Sequence, residues 1–164
     1  MANVDYFLKV EGADGESPDS KHQGEIELLS FSWSVNQTGT SAHGGGAGAG
    51  KAHFNDFHFV KRYDKASPKL MVKCAGGDHI PTVTLTCRKA GKDQQEYLTI
   101  KFSNVLVSSY AIGGDGENDK NIIPLDQISL NFSKIEAEYK EQKPDGTLGG
   151  SVKAGWDLKA NKAT

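Results

Sequence analysis

Cysteine is scarce in this 164-residue chain, with Cys74 and Cys87 as the only two. Two cysteines form no disulfide framework, and their spacing fits no CxxC pair, so we expect two buried thiols. No run approaches the ~20 apolar residues of a membrane-spanning helix. The first ten residues carry no basic segment followed by an apolar one, so we expect no signal peptide. These features predict a protein that folds in the cytoplasm and does not insert into a membrane.

The chain also has no excess of basic residues. Its formal net charge is -2, with both signs mixed along the sequence. A nucleic-acid-binding domain favours a basic surface, so we expect no nucleic-acid partner. The length suits a single domain over residues 1–164 that buries a proper core.

Signatures of catalysis are incomplete. Residues 45–51 (GGAGAGK) resemble a phosphate-binding loop, but Ala52 stands where Ser or Thr would hold magnesium, and the segment precedes a strand pattern instead of a helix. No GxSxG motif is present. None of the five histidines has a partner at metal-ligand spacing: His22, His43, His53, His58 and His79. We therefore predict no enzyme activity, no cofactor and no metal site.

Alternating apolar residues predict β-strands over most of the chain. Four long segments change phase near their middle, at 25–37, 54–59, 98–107 and 128–139. In 98–107, for example, Leu98, Ile100 and Phe102 give way to Val105 and Val107. One extra residue moves every later side chain to the other face. The strands either bend from one sheet into another or break into separate short strands, and we favour bending.

Two further strands alternate without a break. Val83, Leu85 and Cys87 share one face, and Val152, Ala154, Trp156 and Leu158 share another. Only residues 67–77 read as a helix, with Ser67 as the cap, Pro68 at the first position and Gly76-Gly77 at the end. The sequence thus predicts a mainly β fold, a β-barrel of two antiparallel sheets with one short α-helix at the side.

Several short motifs together resemble the haemolysin-coregulated protein (Hcp) family of bacterial type VI secretion. The most specific is DKASPKL at 64–70, followed by Cys74-Ala75-Gly76-Gly77. Others occur in the expected order: Phe7-Leu8-Lys9, Gly15-Glu16-Ser17, His22, Gly24-Glu25-Ile26, Ser32-Trp33, Arg88-Lys89-Ala90-Gly91, Tyr97-Leu98, Val107-Ser108-Ser109 and Gly155-Trp156-Asp157. Ser34 departs from the pattern, since relatives often carry Gly there.

The resemblance implies a tube subunit that is similar to phage tail-tube proteins. Such proteins assemble in the cytoplasm as hexameric rings, which stack into a tube. A contractile sheath drives the tube out of the cell, so that it is secreted to the medium or into a target cell. A spike protein of the valine-glycine repeat family caps the tube, and the lumen can carry secreted effectors. Two alternatives remain: a secreted enzyme or effector, and a monomeric ligand-binding β-barrel.

Within that expectation, two sets of residues are predicted sites. Ser30, Ser32 and Ser34 alternate with bulky apolar residues, so we predict that they face the lumen. Residues 38–50 form an extended glycine-rich loop that is long for a compact domain, and we predict that it contacts the next ring. Its members are Thr38, Gly39, Thr40, Ser41, Ala42, His43, Gly44, Gly45, Gly46, Ala47, Gly48, Ala49 and Gly50. Residues 160–164 are predicted to be a loose tail.

Overall fold

The computed structural model describes residues 4–38, 51–90, 93–117 and 123–164. These residues form twelve strands and one helix, α1 (Ala66–Gly76). The strands are β1 (Val4–Val10), β2 (Ile26–Glu27), β3 (Ser30–Ser32), β4 (Val35–Asn36), β5 (His53–Phe54), β6 (Phe57–Arg62), β7 (His79–Lys89), β8 (Glu96–Gly113), β9 (Leu125–Asn131), β10 (Lys134–Gln142), β11 (Leu148–Asp157) and β12 (Lys162–Ala163).

The strands form two antiparallel sheets, which confirms the predicted fold class. The main sheet has the order β12-β11-β10-β8-β7-β1-β2. The sheet also branches at β8, which pairs with β9; β9 pairs with β6, and β6 pairs with β3. Strands β4 and β5 pair separately. β2 pairs with β1, whereas β3 pairs with β6. The chain therefore crosses from one edge of the sheet to the other between β2 and β3, and the sheet is not closed as one continuous ladder.

Strand β8 is the bend on which this arrangement depends. Its first part pairs with β10 as far as Ser103, and its last part pairs with β9 from Leu106 onward. Between them, Asn104 has a positive φ of 51°, a conformation that asparagine tolerates better than most residues. Phe102 and Val105 are both fully buried on either side of it. The predicted phase change is therefore confirmed here as a single bent strand.

Elsewhere the phase changes are breaks between short strands. Residues 25–37 divide into β2, β3 and β4. Phe31 and Trp33 pack against the core as expected, but Leu29 is 41% exposed and Val35 is 46% exposed. Ile26 and Leu28 at the start of the segment are buried. The core therefore covers the start and the middle of this segment but leaves Leu29 and Val35 exposed.

Aromatic rings fill the space between the two layers. Phe57 lies 4.8 Å from Phe102 between ring centroids, and Phe102 lies 4.9 Å from Phe132. All three side chains are buried, and each contributes about 1.5–3 kcal/mol from the surface it removes from water. The interior is therefore packed with side chains.

Helix α1 begins earlier than predicted and packs against β8. Asp64 accepts a hydrogen bond from the Ala66 backbone at 3.0 Å, so it serves the first turn in place of Ser67. Gly77 ends the helix with φ of 68°, as glycine readily does. Within the described ranges, no helix combines the length and hydropathy needed to cross a membrane.

The end of the chain is more ordered than predicted. Lys162–Ala163 pairs with Trp156–Asp157, and the Thr164 backbone N–H donates to the Gly155 carbonyl at 3.1 Å. Of the two cysteines, Cys87 is buried and Cys74 is half-buried.

Candidate functional site

Four strand segments form a wall with two contrasting sides. The wall comprises β3, β6, β9 and residues 106–113 of β8, which pair in the order β3-β6-β9-β8. On its inner side, Phe57 and Phe59 of β6 and Ile128 and Leu130 of β9 are buried. On the other side, which we call the outer face, the side chains are small, polar or both: Ser30, Ser32, His58, Val60, Ser109, Ala111, Gln127 and Ser129.

The strand register aligns the outer face into two rows. Ser32 lies opposite His58, His58 opposite Ser129, and Ser129 opposite Ser109. The second row runs from Ser30 through Val60 and Gln127 to Ala111 by the same pairings. Because side chains alternate between the two sides of a strand, the apolar core on one side determines which residues share the other.

Ser30 and Ser32, two of the predicted site residues, belong to this outer face and are exposed. Ser34 is also exposed but lies beyond the end of β3. Its hydroxyl accepts a hydrogen bond from the Asn55 side-chain amide at 2.8 Å. Whether any of the three faces a lumen stays a prediction. Of the predicted stacking loop, Thr38 is exposed and residues 39–50 lie outside the described residues.

The residues that the other strands bring to the outer face were not predicted from the sequence. From the sequence, His58 was considered as a possible metal ligand, and it has no partner at the required spacing. In the structure its Nδ1 is hydrogen-bonded to the Ser129 hydroxyl. Continuing the serine alternation across β6 and β9 would have identified His58, Gln127 and Ser129, but their register cannot be read from the sequence.

A buried charge network holds α1 to the inner side of the wall. The Lys61 Nζ donates hydrogen bonds to Asp126 and Asp64, both at 2.8 Å, and to the Ser67 hydroxyl at 2.6 Å. Tyr110 donates to the second Asp126 oxygen at 3.1 Å. Burial, together with that hydrogen bond to the carboxylate, raises the pKa of Tyr110 to about 12. Asp64 and Ser67 of the DKASP segment thus both bind Lys61, and the aspartate also neutralises its charge.

A second polar cluster attaches residues 12–24 to the sheet. The ring nitrogens of His22 lie 2.8 Å from a Glu25 oxygen and 2.7 Å from a Glu96 oxygen, and the ring stacks on Phe7 at 4.4 Å. The two glutamates therefore bind a histidine. A Cβ on Gly15 would lie 2.6 Å from the Glu25 carbonyl oxygen, so this close approach requires glycine.

Arg88 completes the second cluster. Its guanidinium donates to Asp5 at 3.2 Å and to both carboxylate oxygens of Asp19, and it lies over the Phe7 ring at 4.7 Å. The hydrogen bonds from Arg88 lower the pKa of Asp19 to about 2. These contacts seal the outward side of β1, where Phe7 is buried.

Neither cluster resembles a metal centre or a catalytic site in its arrangement. Among residues 4–38, 51–90, 93–117 and 123–164, no group of three or more His, Cys, Asp or Glu side chains could hold a metal ion. Each cationic group described above is hydrogen-bonded to carboxylates of the same chain. Both clusters therefore hold one segment of the chain against another.

Comparisons with known proteins agree along the whole chain. The sequence profile of the family described as type VI secretion system effector, Hcp, matches residues 7–139. The protein named hcp1 of Pseudomonas aeruginosa is 44% identical over 160 residues, covering 96% of this chain and 97% of that protein. A crystal structure of Hcp1 from Salmonella typhimurium has a TM-score of 0.81 at 36% identity, covering 99% of this chain and 100% of the other. A structure titled as a type six secretion system protein has a TM-score of 0.91 at 31% identity, covering 98% and 99%.

Proposed function

Because this chain belongs to the Hcp family of the type VI secretion system, we propose that it is a structural tube subunit whose copies form hexameric rings that stack. The observation that carries the proposal is the two-sided wall. Its inner side is closed by the chain's own core, and its outer face is a continuous surface of uncharged residues that are small, polar or both. Such a surface suits the lining of a channel, because it offers few strong fixed anchors to the molecules that pass through.

The width of the wall gives an estimate of the diameter of the channel. Four strands at a spacing of ~4.8 Å make a wall ~19 Å wide, so six walls side by side enclose a circle about 37 Å across. A channel of that size admits a small folded domain. This diameter joins strand backbones, so the side chains of the outer face narrow the open channel, whereas tilt of the strands widens the circle.

The partners and location follow from the same proposal. The chain assembles in the cytoplasm, a contractile sheath surrounds the tube, and a spike of the valine-glycine repeat family caps it. Effectors travel against the outer face, and the tube leaves the cell with them. The role is structural and not enzymatic.

Electron microscopy of the purified protein tests the ring directly. We expect annular particles with sixfold symmetry and a central opening of the estimated width, and we expect sedimentation at micromolar concentration to give a hexamer. A monomer in both measurements would overturn the tube proposal and favour a monomeric ligand-binding barrel. The filled interior around Phe57 and Phe102 already disfavours that alternative, because a ligand-binding barrel needs a cavity.

Chemical labelling tests the position of the outer face. Ser32→Cys introduces an exposed thiol, and we expect a small maleimide to label it in the empty ring. A cargo protein bound in the lumen should block that labelling. Cys74 is half-buried, so the parent protein provides the background rate. Protection of the introduced thiol in the empty ring would contradict a lumen-facing position.

The stacking role of residues 38–50 is proposed from the sequence alone. The loop contains no acidic residue and no lysine before Lys51, so contacts between rings should depend weakly on salt. Replacing Gly44 to Gly48 with bulkier residues should leave rings intact and abolish tubes. Long tubes from this variant would exclude the loop as the stacking element, and monomers would place it within the ring interface.

A further inference from the structure

Helix α1 carries apolar residues on the side that faces away from the protein. On its inner side, Ala66 and Leu70 are buried in the core. A helix that packs on a core with one side normally presents polar residues to solvent on the other. Here the outward stripe is apolar, and its exposed members are Pro68, Met71, Val72 and Ala75. A helix that is apolar on both sides has the composition of one that is covered on both sides.

A row of lysines runs beside this apolar stripe. Lys65, Lys69 and Lys73 follow one another at intervals of four residues, so they lie along one side of the helix with about 5–6 Å between neighbouring Cβ atoms. The helix itself contains no acidic residue. Within the described part of the chain, none of the three lysines forms an ion pair. We call the apolar stripe together with the exposed Lys65 and Lys69 the helix face.

Helix stability does not explain the lysines at the amino-terminal end. This end of a helix has a partial positive charge and favours acidic side chains. Asp64 and Glu16 meet that preference by accepting hydrogen bonds from the Ala66 and Lys65 backbone N–H groups, at 3.0 Å and 2.9 Å. The side chains of Lys65 and Lys69 add positive charge to the same end and have no acidic residue three or four positions away on the helix. Their charge is balanced only by a negatively charged partner from outside.

The helix face lies on a rigid support. Ser67 on the inner side of α1 binds the buried Lys61, which also binds Asp126 of β9. The helix has eleven residues, which gives a ridge about 16 Å long at a rise of 1.5 Å per residue. A surface that is already ordered loses little conformational entropy when a partner binds, so even a contact of this length can be specific.

We propose that the helix face binds an acidic, amphipathic helix of a different protein. Apolar side chains of that helix cover Met71 and Val72, which are 50% and 58% exposed in the single chain, and its carboxylates pair with Lys65 and Lys69. Burial of the apolar side chains supplies affinity, and the charges select the partner. The inference goes beyond the proposed tube and does not require a ring, because the face is complete on one chain.

Other occupants match the helix face less well. Helix α1 of a second copy would bring its own lysine row against this one, and like charges repel. A membrane-bound helix inserts a broad apolar side that typically carries Trp, Phe or Leu. The helix face has only two large exposed apolar side chains, Met71 and Val72, and its lysines flank the stripe on one side. An acidic helix satisfies both the apolar stripe and the lysines.

Peptide binding tests the charge preference. The probe is a fluorescent synthetic helix of about 20 residues, with leucines at every third or fourth position and glutamates beside them. A matched peptide carries lysines in place of the glutamates. We expect the full chain to bind the acidic peptide about tenfold more tightly at low salt by fluorescence anisotropy, and added salt should reduce that difference. Equal affinities, or no binding of the acidic peptide, would overturn the inference.

Charge reversal places the binding on α1. Lys69→Glu should weaken binding of the acidic peptide and strengthen binding of the basic peptide, each by about fivefold. Lys159→Glu is the matched control, because Lys159 is an exposed lysine outside α1, and it should leave both affinities at the parent's values. A gain for one peptide with a loss for the other cannot arise from unfolding. The parent's preference in Lys69→Glu would show that the peptide binds elsewhere.

An apolar substitution tests the stripe. Val72→Ser removes an exposed apolar side chain from the helix face and should weaken binding of the acidic peptide by about threefold or more. Val152→Ser makes the same change at a position on β11 that is 70% exposed, and it should have no effect. Equal effects of the two variants would contradict a role for the stripe.

Two further measurements address the other occupants. Flotation with phosphatidylglycerol vesicles should leave the protein unbound, and vesicle binding that Lys69→Glu abolishes would overturn the inference in favour of a membrane. Sedimentation of Lys69→Glu should match the parent, and loss of self-assembly would identify the helix face as a contact between copies. A parent that sediments as a monomer and still prefers the acidic peptide would overturn the tube proposal while supporting this inference.

Discussion

The wall and the exposed end of the β10–β11 hairpin, which we call the overhang (Tyr139, Val152 and Ala154), are built from the same alternation of apolar and polar residues. Among the described residues, only the wall has its apolar side covered. In β6 and β9 the inward side chains are fully buried, and the outer face is small and polar. In β10 and β11 the inward side chains pass from buried at Ile135 to exposed at Tyr139, although the pattern does not change. The difference shows that alternation specifies a side of a strand, whereas a second layer determines whether that side is covered.

The wall also contains something that the overhang lacks, a buried ion pair. Lys61 and Asp126 are both fully buried and lie 2.8 Å apart. The charges of β10 and β11 lie on the opposite side from the overhang and pair across exposed side chains, where solvent screens them. The wall should therefore respond strongly to loss of a charge, and β10 and β11 should hardly respond at all.

The largest expected effect comes from Lys61. Lys61→Ala leaves the Asp126 carboxylate buried without its partner, and breaking a buried pair in this way costs about 3–5 kcal/mol. Lys153→Ala removes an exposed lysine from the charged side of β11, opposite the overhang, and should change the free energy of unfolding by less than about 0.5 kcal/mol. Urea unfolding of both variants measures the contrast. Equal effects would show that the Lys61 network contributes no more than a surface pair.

Loss of apolar volume gives the next comparison. Leu130 is fully buried on the inner side of the wall, so Leu130→Ala should lower the free energy of unfolding by about 2–5 kcal/mol. Val152→Ala should change that of the dissociated single chain by less than about 0.5 kcal/mol. The measurement must be made at concentrations where the parent sediments as one chain. A large loss from Val152→Ala in that state would mean that the overhang is covered within the chain.

The residues that could be predicted from sequence lie where a second layer covers their strand. Those that could not be predicted lie where it does not. The β7 face of Val83, Leu85 and Cys87 was predicted correctly because layers on the inner side cover the whole strand. Val152 was placed on the correct side of its strand, yet it is 70% exposed. The local pattern located the bend of β8 near Asn104, but it did not show how far the second layer extends over the neighbouring strands.

Polar positions show a related limit. Ser67 has the chemistry of a helix cap, and the sequence assigned it that role. In the structure its hydroxyl binds Lys61 and Asp126 instead. The lysine and the second aspartate are 65 positions apart, so local sequence cannot reveal the competition. Ser30 and Ser32, by contrast, were recognised as facing away from the core because their exposure follows directly from the alternation.

The attachment of residues 12–24 predicts a smaller, pH-dependent effect. Hydrogen bonds from Arg88 lower the pKa of Asp19 from 3.8 to about 2. A carboxyl whose pKa is lowered on folding stabilises the protein above its unfolded value, and this stabilisation is lost as the pH falls through the folded value. Asp19→Asn should therefore cost about 1–2 kcal/mol at pH 7, and the difference from the parent should vanish towards pH 2.

Thermal or urea unfolding at pH 7, 4 and 2 measures this difference. Asp14→Asn is a matched control, because Asp14 is exposed in the same segment, and it should show little difference at any pH. A constant gap between Asp19→Asn and the parent down to pH 2 would mean that the contact does not depend on the charge of Asp19.

The two thiols give the mildest test of which surfaces the chain closes by itself. Cys87 lies in the core, where burial raises its pKa to about 11, whereas Cys74 lies half-buried on α1. Only the thiolate reacts with a disulfide reagent, so Cys87 should be protected both by its low thiolate fraction and by its lack of access. At pH 8 we expect one thiol to react in the native protein and the second to react only on unfolding. Cys74→Ser should abolish the native reaction without a large change in stability. Equal rates for both thiols in the parent would show that the layer over β7 opens readily, so that burial in the single structure would not by itself mean protection from solvent.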